Sequence, residues 1–193
     1  IVMSEPDFPI RCRNLWKIYG HTTALRDTSP ERLTDEVLAA KGLLAALREV
    51  TLDIARGEVF VIMGLSGSGK STLVRCMTGL VEPTLGDLVI DWENLRTIAP
   101  ERLIEMRRHR ISMVFQEFAL FPWKTVLGNI MFGLLEQGVS RAEAEARARR
   151  LVQLVHLSGY EDLYPKELSG GMKQRVAIAR ALAYEPQILL MDE

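Results

Sequence analysis

Val59-Phe60-Val61-Ile62-Met63 runs directly into Gly64-Leu65-Ser66-Gly67-Ser68-Gly69-Lys70-Ser71-Thr72, and a helical pattern follows to about Leu80. The central segment fits G-x-x-x-x-G-K-[ST] in full, with an apolar run of strand length before it and a helix after it. Each part has a chemical reason. Glycines let backbone N–H groups turn inward around a polyphosphate, because side chains would block the approach. The helix beginning near Lys70 adds the positive end of its dipole. Lys70 is expected to reach the β- and γ-phosphates, and the Ser71 hydroxyl to ligate Mg²⁺. A glycine turn without a ligand would need neither the Lys-Ser pair nor the strand–helix setting, so Gly64 through Thr72 reads as a nucleotide site.

The far end of the chain supplies a second part. Ile188-Leu189-Leu190-Met191 is an apolar run that ends on Asp192-Glu193. Carboxylates at the carboxyl end of a buried strand lie where an open α/β sheet holds its ligand. Asp192 is expected to hold Mg²⁺, directly or through water. Glu193 is expected to polarise an attacking water as general base. A buried strand that stops without a turn, helix or tail leaves an uncovered ladder. Together with Ile1 as first residue and Met3 two positions later, this predicts a fragment of a longer chain.

Between these ends the pattern alternates. Residues 10–20 and 48–56 read as strands, and Thr34 caps a short helix that has Asp35 and Glu36 in its first turn. Residues 59–63 read as the strand before the loop. Pro83 and Gly86 mark a turn before the strand 88–90, 101–109 reads as helix, and 111–115 as strand. Residues 123–160 are mostly helical, with Ser140 and Glu143 spaced as a capping box. Helix 170–183 and strand 187–192 close the chain. Alternation of this kind predicts a parallel sheet covered by helices.

Composition narrows the function classes. Lys and Arg number 24 against 25 Asp and Glu, for a formal charge of -1, so no basic coat for nucleic acid is present. Hydrophobic residues at 48% and charged residues at 25% argue against disorder. No apolar run approaches the roughly 18–20 residues of a membrane span, and no export signal is visible. Cys12 and Cys76 form neither a metal spacing nor a disulfide framework, and read as reduced thiols.

Leu168-Ser169-Gly170-Gly171-Met172-Lys173-Gln174-Arg175 makes the reading specific. It resembles the signature motif of the ATP-binding cassette (ABC) ATPases, with Met172 where a Gln is usual, and the spacing from Ser169 to Asp192 is also similar. The resemblance runs from about residue 10 to residue 193. It implies an α/β P-loop NTPase core with an antiparallel β part and a helical subdomain, its C-terminal part missing. The core would cover about 10–115 with a helical insertion near 31–47, the helical subdomain about 117–168, and the signature helix and final strand 169–193. Ser169, Gly170 and Gly171 would face the γ-phosphate held by a second subunit, so that two ATP molecules are sandwiched between two cassettes. Gln116 resembles the glutamine that contacts Mg²⁺ and links the site to membrane subunits. Tyr19 resembles the aromatic that stacks on adenine, the alternative being an ordinary core tyrosine. Phe118 to Pro122 resembles the surface that receives a coupling helix, though simple packing would explain such apolar residues equally well.

The insertion, the loop and Met172 are similar to cassettes importing glycine betaine, proline and related osmolytes. Catalysis would then rest on Glu193, Lys70 and Gln116, and the metal on Ser71, Gln116 and Asp192. The resemblance implies ATP and Mg²⁺, a second ATP-binding subunit, permease subunits and, indirectly, a substrate-binding protein, but no nucleic acid. It places the protein peripherally on the cytoplasmic face of the inner membrane. Family parts beyond Glu193 include a histidine that contacts the γ-phosphate, which His21, His109 and His156 are not positioned to replace. Poor hydrolysis by these 193 residues alone follows as an expectation. Open alternatives are an importer of another solute, a nucleotide-binding module without turnover, and a soluble cassette ATPase acting on ribosomes or DNA. Asp91-Trp92-Glu93 departs from the Asp-Gly turn usual in the family.

Overall fold

The computed structural model describes residues 7–21 and 32–192, which fall into two compact units, one up to Leu103 and one from Ile104 onward. The first unit holds β1 (Ile10–Tyr19), α1 (Asp35–Ala40), β2 (Leu44–Ile54), α2 (Lys70–Met77), β3 (Leu85–Ile90) and the two-residue β4 (Glu93–Asn94). Its sheet runs β2-β1-β3-β4 with antiparallel neighbours throughout. The helix α3 (Pro100–His109) leads into the second unit, which contains β5 (Ile111–Val114), α4 (Val126–Glu136), α5 (Arg141–Leu154), α6 (Gly170–Leu182) and β6 (Ile188–Met191). Strands β5 and β6 pair in parallel, from Ile111 opposite Ile188 to Val114 opposite Met191.

Local chemistry explains most of these elements. In β1 the inward set Ile10, Cys12, Trp16 and Ile18 alternates, and an irregularity after Cys12 also turns Leu15 inward. Gly86 crosses that irregularity with φ +81°, and a Cβ there would lie 2.1 Å from the Asn14 carbonyl oxygen, so glycine is required. Thr34 Oγ1 accepts from Val37 N and starts α1, as its sequence position predicts. Leu38 of α1 then packs with Trp16, Ile18, Leu33 and Leu43 against one face of the sheet. In the second unit α4, α5 and α6 share a core of Ile130, Leu134, Ala148, Val152, Val176 and Ala179. Small residues on α5 and α6 let these three helices approach closely.

Expectations about the strands and about one helix cap are corrected. Residues 59–63 form no strand, and Val59 and Met63 are 90% and 87% exposed. An apolar run becomes a strand only when a neighbour takes its backbone hydrogen bonds, and no described residue pairs with this one in a ladder. The parallel sheet is correspondingly limited, among the described residues, to β5 and β6. Strand β2 begins at Leu44 rather than residue 48, because its register with β1 continues to the pair Tyr19 and Leu44. Ser140 caps α5 by accepting from Glu143 N, while the Glu143 carboxylate pairs with Arg147 along the helix.

Candidate functional site

The glycine-rich loop is shaped by backbone demands that other residues cannot meet. Gly69 caps the N-terminus of α2 at φ +93°, and a Cβ there would fall 2.2 Å from the Ala46 carbonyl oxygen of β2. Gly67 is left-handed at φ +78°, and a Cβ on Gly64 would meet Ser68 Oγ at 2.7 Å. The loop closes on its own lysine: Lys70 Nζ donates to the carbonyls of Gly64 and Leu65, each at 2.9 Å. Helix α2 buries Leu73, Val74, Cys76 and Met77, which fixes its N-terminal end, with Lys70 and Ser71 in its first turn. The donor set suits a magnesium-bound polyphosphate. It offers glycine amides, one ammonium and the hydroxyls of Ser66, Ser68, Ser71 and Thr72, and no described group of His, Cys, Asp and Glu could hold a metal by itself. Mg²⁺ is commonly held by one or two protein oxygens together with substrate phosphates.

Tyr19 ends β1, 42% exposed, with the Lys17 ammonium 5.0 Å from its ring centroid. Lys17 Nζ also donates to the Glu82 carbonyl. Lys17, Tyr19, Glu82, Thr84 and Arg96 line a cleft of about 300 Å³. Tyr19 pairs with Leu44, two residues before the Ala46 carbonyl that packs on Gly69, so β2 connects the aromatic to the loop. Nearby, Cys12 of β1 and Cys76 of α2 are free and buried. Burial pushes their thiols up to about 12 and about 11, which keeps both protonated at neutral pH.

In the second unit Asp192 follows β6, buried, with its N–H donating to the Val114 carbonyl. Ser169 caps α6, its Oγ accepting from Met172 N. Glycine in a helix costs about 0.5–1 kcal/mol relative to alanine. No atom lies within 4 Å of where Cβ atoms on Gly170 and Gly171 would be. Packing among the described residues therefore gives no reason for these two glycines. Gln116 is exposed in the turn after β5. Glu193 lies outside the described residues.

The loop that follows Gln116 is held by two residues the sequence reading did not single out, Arg180 and Asn129. Phe118 and Ala119 are both left-handed, at φ +61° and +48°. Arg180 of α6 donates to both of their carbonyls. Asn129 of α4, fully buried, accepts from Phe121 N and donates to the carbonyls of Phe121, Lys124 and Thr125. A polar residue inside the apolar run of α4 was the available signal for Asn129. Phe118 and Leu120 pack into the unit's apolar clusters, and the outward aromatic is Trp123, its ring tilted 49° to that of Phe121 at 5.6 Å. Packing therefore accounts for part of the 118–122 surface.

A glycine-cradled lysine at a helix start, an aspartate closing a parallel strand, and a helix opened by Ser-Gly-Gly define a P-loop nucleotide-binding cassette. The ABC transporter family model matches residues 47–193, and the chain belongs to that family. It is 48% identical over 186 residues to the trimethylamine N-oxide transport system ATP-binding protein TmoW of Ruegeria pomeroyi, covering 95% of this chain and 54% of that protein. It is 45% identical to the glycine betaine transport ATP-binding protein OpuAA of Bacillus subtilis, covering 99% of this chain and 46% of that protein. The chain thus spans about half the length of the curated relatives it matches. A solved dimeric ATP-binding cassette, in a post-hydrolysis state with ADP and phosphate, matches with TM-score 0.77 and 34% identity, over 94% of this chain and 72% of that one. Among the described residues no helix is long and apolar enough to cross a membrane.

Proposed function

We propose that the chain is the nucleotide-binding part of an ABC importer ATPase that drives uptake of methylated-amine or betaine osmolytes. The observation that carries the ATPase reading is the loop closed around Lys70. The ammonium is held against the loop's own main chain at the N-terminus of α2, beside glycines that leave the backbone open, an arrangement that suits a triphosphate. Lys70 leaves the carbonyls of Gly64 and Leu65 to neutralise the β- and γ-phosphates. Tyr19 stacks on the adenine. Ser71, Asp192 and Gln116 would hold Mg²⁺, which supplies charge neutralisation on the phosphates. Glu193 accepts the proton of the attacking water. Ser169, Gly170 and Gly171 present the N-terminus of α6 to nucleotide on a second copy, consistent with their open space. Permease subunits receive the resulting motion at the surface beside Gln116, on the cytoplasmic side of the membrane, and a substrate-binding protein delivers the solute. The named relatives support the osmolyte class.

A nucleotide-binding module without turnover is the second reading. The exposed run 59–63 favours it, since a loop whose preceding segment is outside any sheet binds phosphate without holding it aligned for attack. Phosphate release from MgATP, with Glu193→Gln as comparison, separates the two. Slow release that Glu193→Gln removes supports the ATPase. Release unchanged by Glu193→Gln contradicts the role given to Glu193, and binding without release supports the module.

A further inference from the structure

The loop after Gln116 is held in an unusual backbone conformation. Two consecutive residues that are not glycine, Phe118 and Ala119, have positive φ, a region disfavoured for L-residues. Such conformations persist where surrounding structure over-determines them. The determinant is visible here. The Arg180 guanidinium spans the pair, donating from Nη2 to the Phe118 carbonyl at 2.9 Å and from Nη1 to the Ala119 carbonyl at 2.6 Å. Its Cζ also lies 5.9 Å from the centroid of the Phe121 ring, whose centroid is 4.5 Å from that of Phe132 of α4. Local hydrogen bonds from Phe118 N to Phe115 O and from Ala119 N to Glu117 O complete the turn that carries Gln116.

Arg180 lies in the same helix that Ser169, Gly170 and Gly171 open. We infer that Arg180 is a positioning residue that ties the Ser-Gly-Gly helix to the Gln116 loop by fixing Phe118 and Ala119 in the left-handed conformation. A planar fork is suited to this, because two donors in fixed geometry reach two successive carbonyls. Displacement of α6 along its axis carries the loop with it or breaks the fork, and a broken fork lets both residues leave the left-handed region. Burial lowers the Arg180 pKa and the nearby Tyr184 opposes that shift; an arginine remains charged in either case. This inference deepens the proposed function, on which its catalytic consequence rests, while the structural tie stands apart from it.

The test labels the full chain with 5-fluorotryptophan and follows ¹⁹F resonances. The three tryptophans are Trp16, Trp92 and Trp123, and Trp123 lies on the loop that Arg180 and Asn129 hold. Arg180→Ala is expected to shift or broaden the Trp123 resonance while Trp16 and Trp92 stay in place. Arg180→Lys is expected to do the same in lesser degree, since an ammonium is not a planar fork, and it carries the test if Arg180→Ala unfolds the second unit. Adding Ala119→Gly, which removes the steric objection to positive φ, is expected to return Trp123 toward its wild-type position. In steady-state phosphate release the same variants lose kcat with KM for MgATP unchanged. An unmoved Trp123 in folded Arg180 variants, or failure of Ala119→Gly to restore it, overturns the tie. Absence of MgATP binding to the wild-type chain overturns the functional reading instead, and the ¹⁹F result still decides the tie.

Discussion

Trp92 shows how one residue can depart from the expected chemistry and be accommodated. Asp91 and Trp92 sit at φ +45° and +71°, the signs of a two-residue hairpin turn, here joining β3 to β4, in which Asn-Gly or Asp-Gly is preferred. The Arg11 guanidinium covers the indole at 4.2 Å from its centroid, and Asp91 lies 3.5 Å from Arg56. Trp92→Ala removes the cation–π contact and keeps the unfavourable φ, whereas Trp92→Gly removes both. Trp92→Gly is therefore expected to be more stable than Trp92→Ala by about 1 kcal/mol in urea titrations. The departure was legible in the sequence, but its partner was not, because Arg11 reaches Trp92 only through the pairing of β1 with β3. The thiols make a second prediction at this scale. Cys76 and Cys12 are raised to about 11 and about 12 by burial. Unfolded thiols deprotonate near their ordinary pKa, so the thiols' contribution to stability is complete below about pH 8–9 and is lost as pH rises toward 11–12. Denaturant midpoints for Cys12→Ala/Cys76→Ala are expected to fall less steeply than wild type between pH 8 and 10.5.

At the scale of elements, capping and periodicity were legible and non-local pairing was not. Thr34, Ser140 and Ser169 announce α1, α5 and α6 because an N-cap is a local event. The run 59–63 misled because its five apolar residues specify a buried strand only if a neighbour exists to pair with. Asn129 stayed hidden for a related reason: its partners are the main chain of 121–125, and main-chain partners leave no mark on side-chain pattern. Truncating it strands those groups in a buried setting. Asn129→Ala is expected to cost about 2–4 kcal/mol, read as a lower thermal midpoint, and to speed proteolysis within 117–125. Thr34→Ala, by contrast, removes one exposed cap and is expected to cost about 1 kcal/mol.

For the whole molecule, each unit carries candidate functional residues of its own. The loop with Lys70 and the aromatic Tyr19 belong to the first, and Gln116, Ser169–Gly171 and Asp192 to the second. The residues of the site were legible because phosphate chemistry dictates their types and spacing. The supports of the site, Ala46 beneath Gly69 and Arg180 beneath the Gln116 loop, became visible only once strands and helices were brought together. If Lys70 and its glycine loop bind MgATP, calorimetric titration of MgATP into this chain and into Lys70→Ala will show it. Saturable binding is expected that Lys70→Ala abolishes or weakens by an order of magnitude or more, since a charge-assisted contact of this kind contributes about 1.5–3 kcal/mol. Binding of equal affinity in both proteins, or none in a folded wild type, would contradict it.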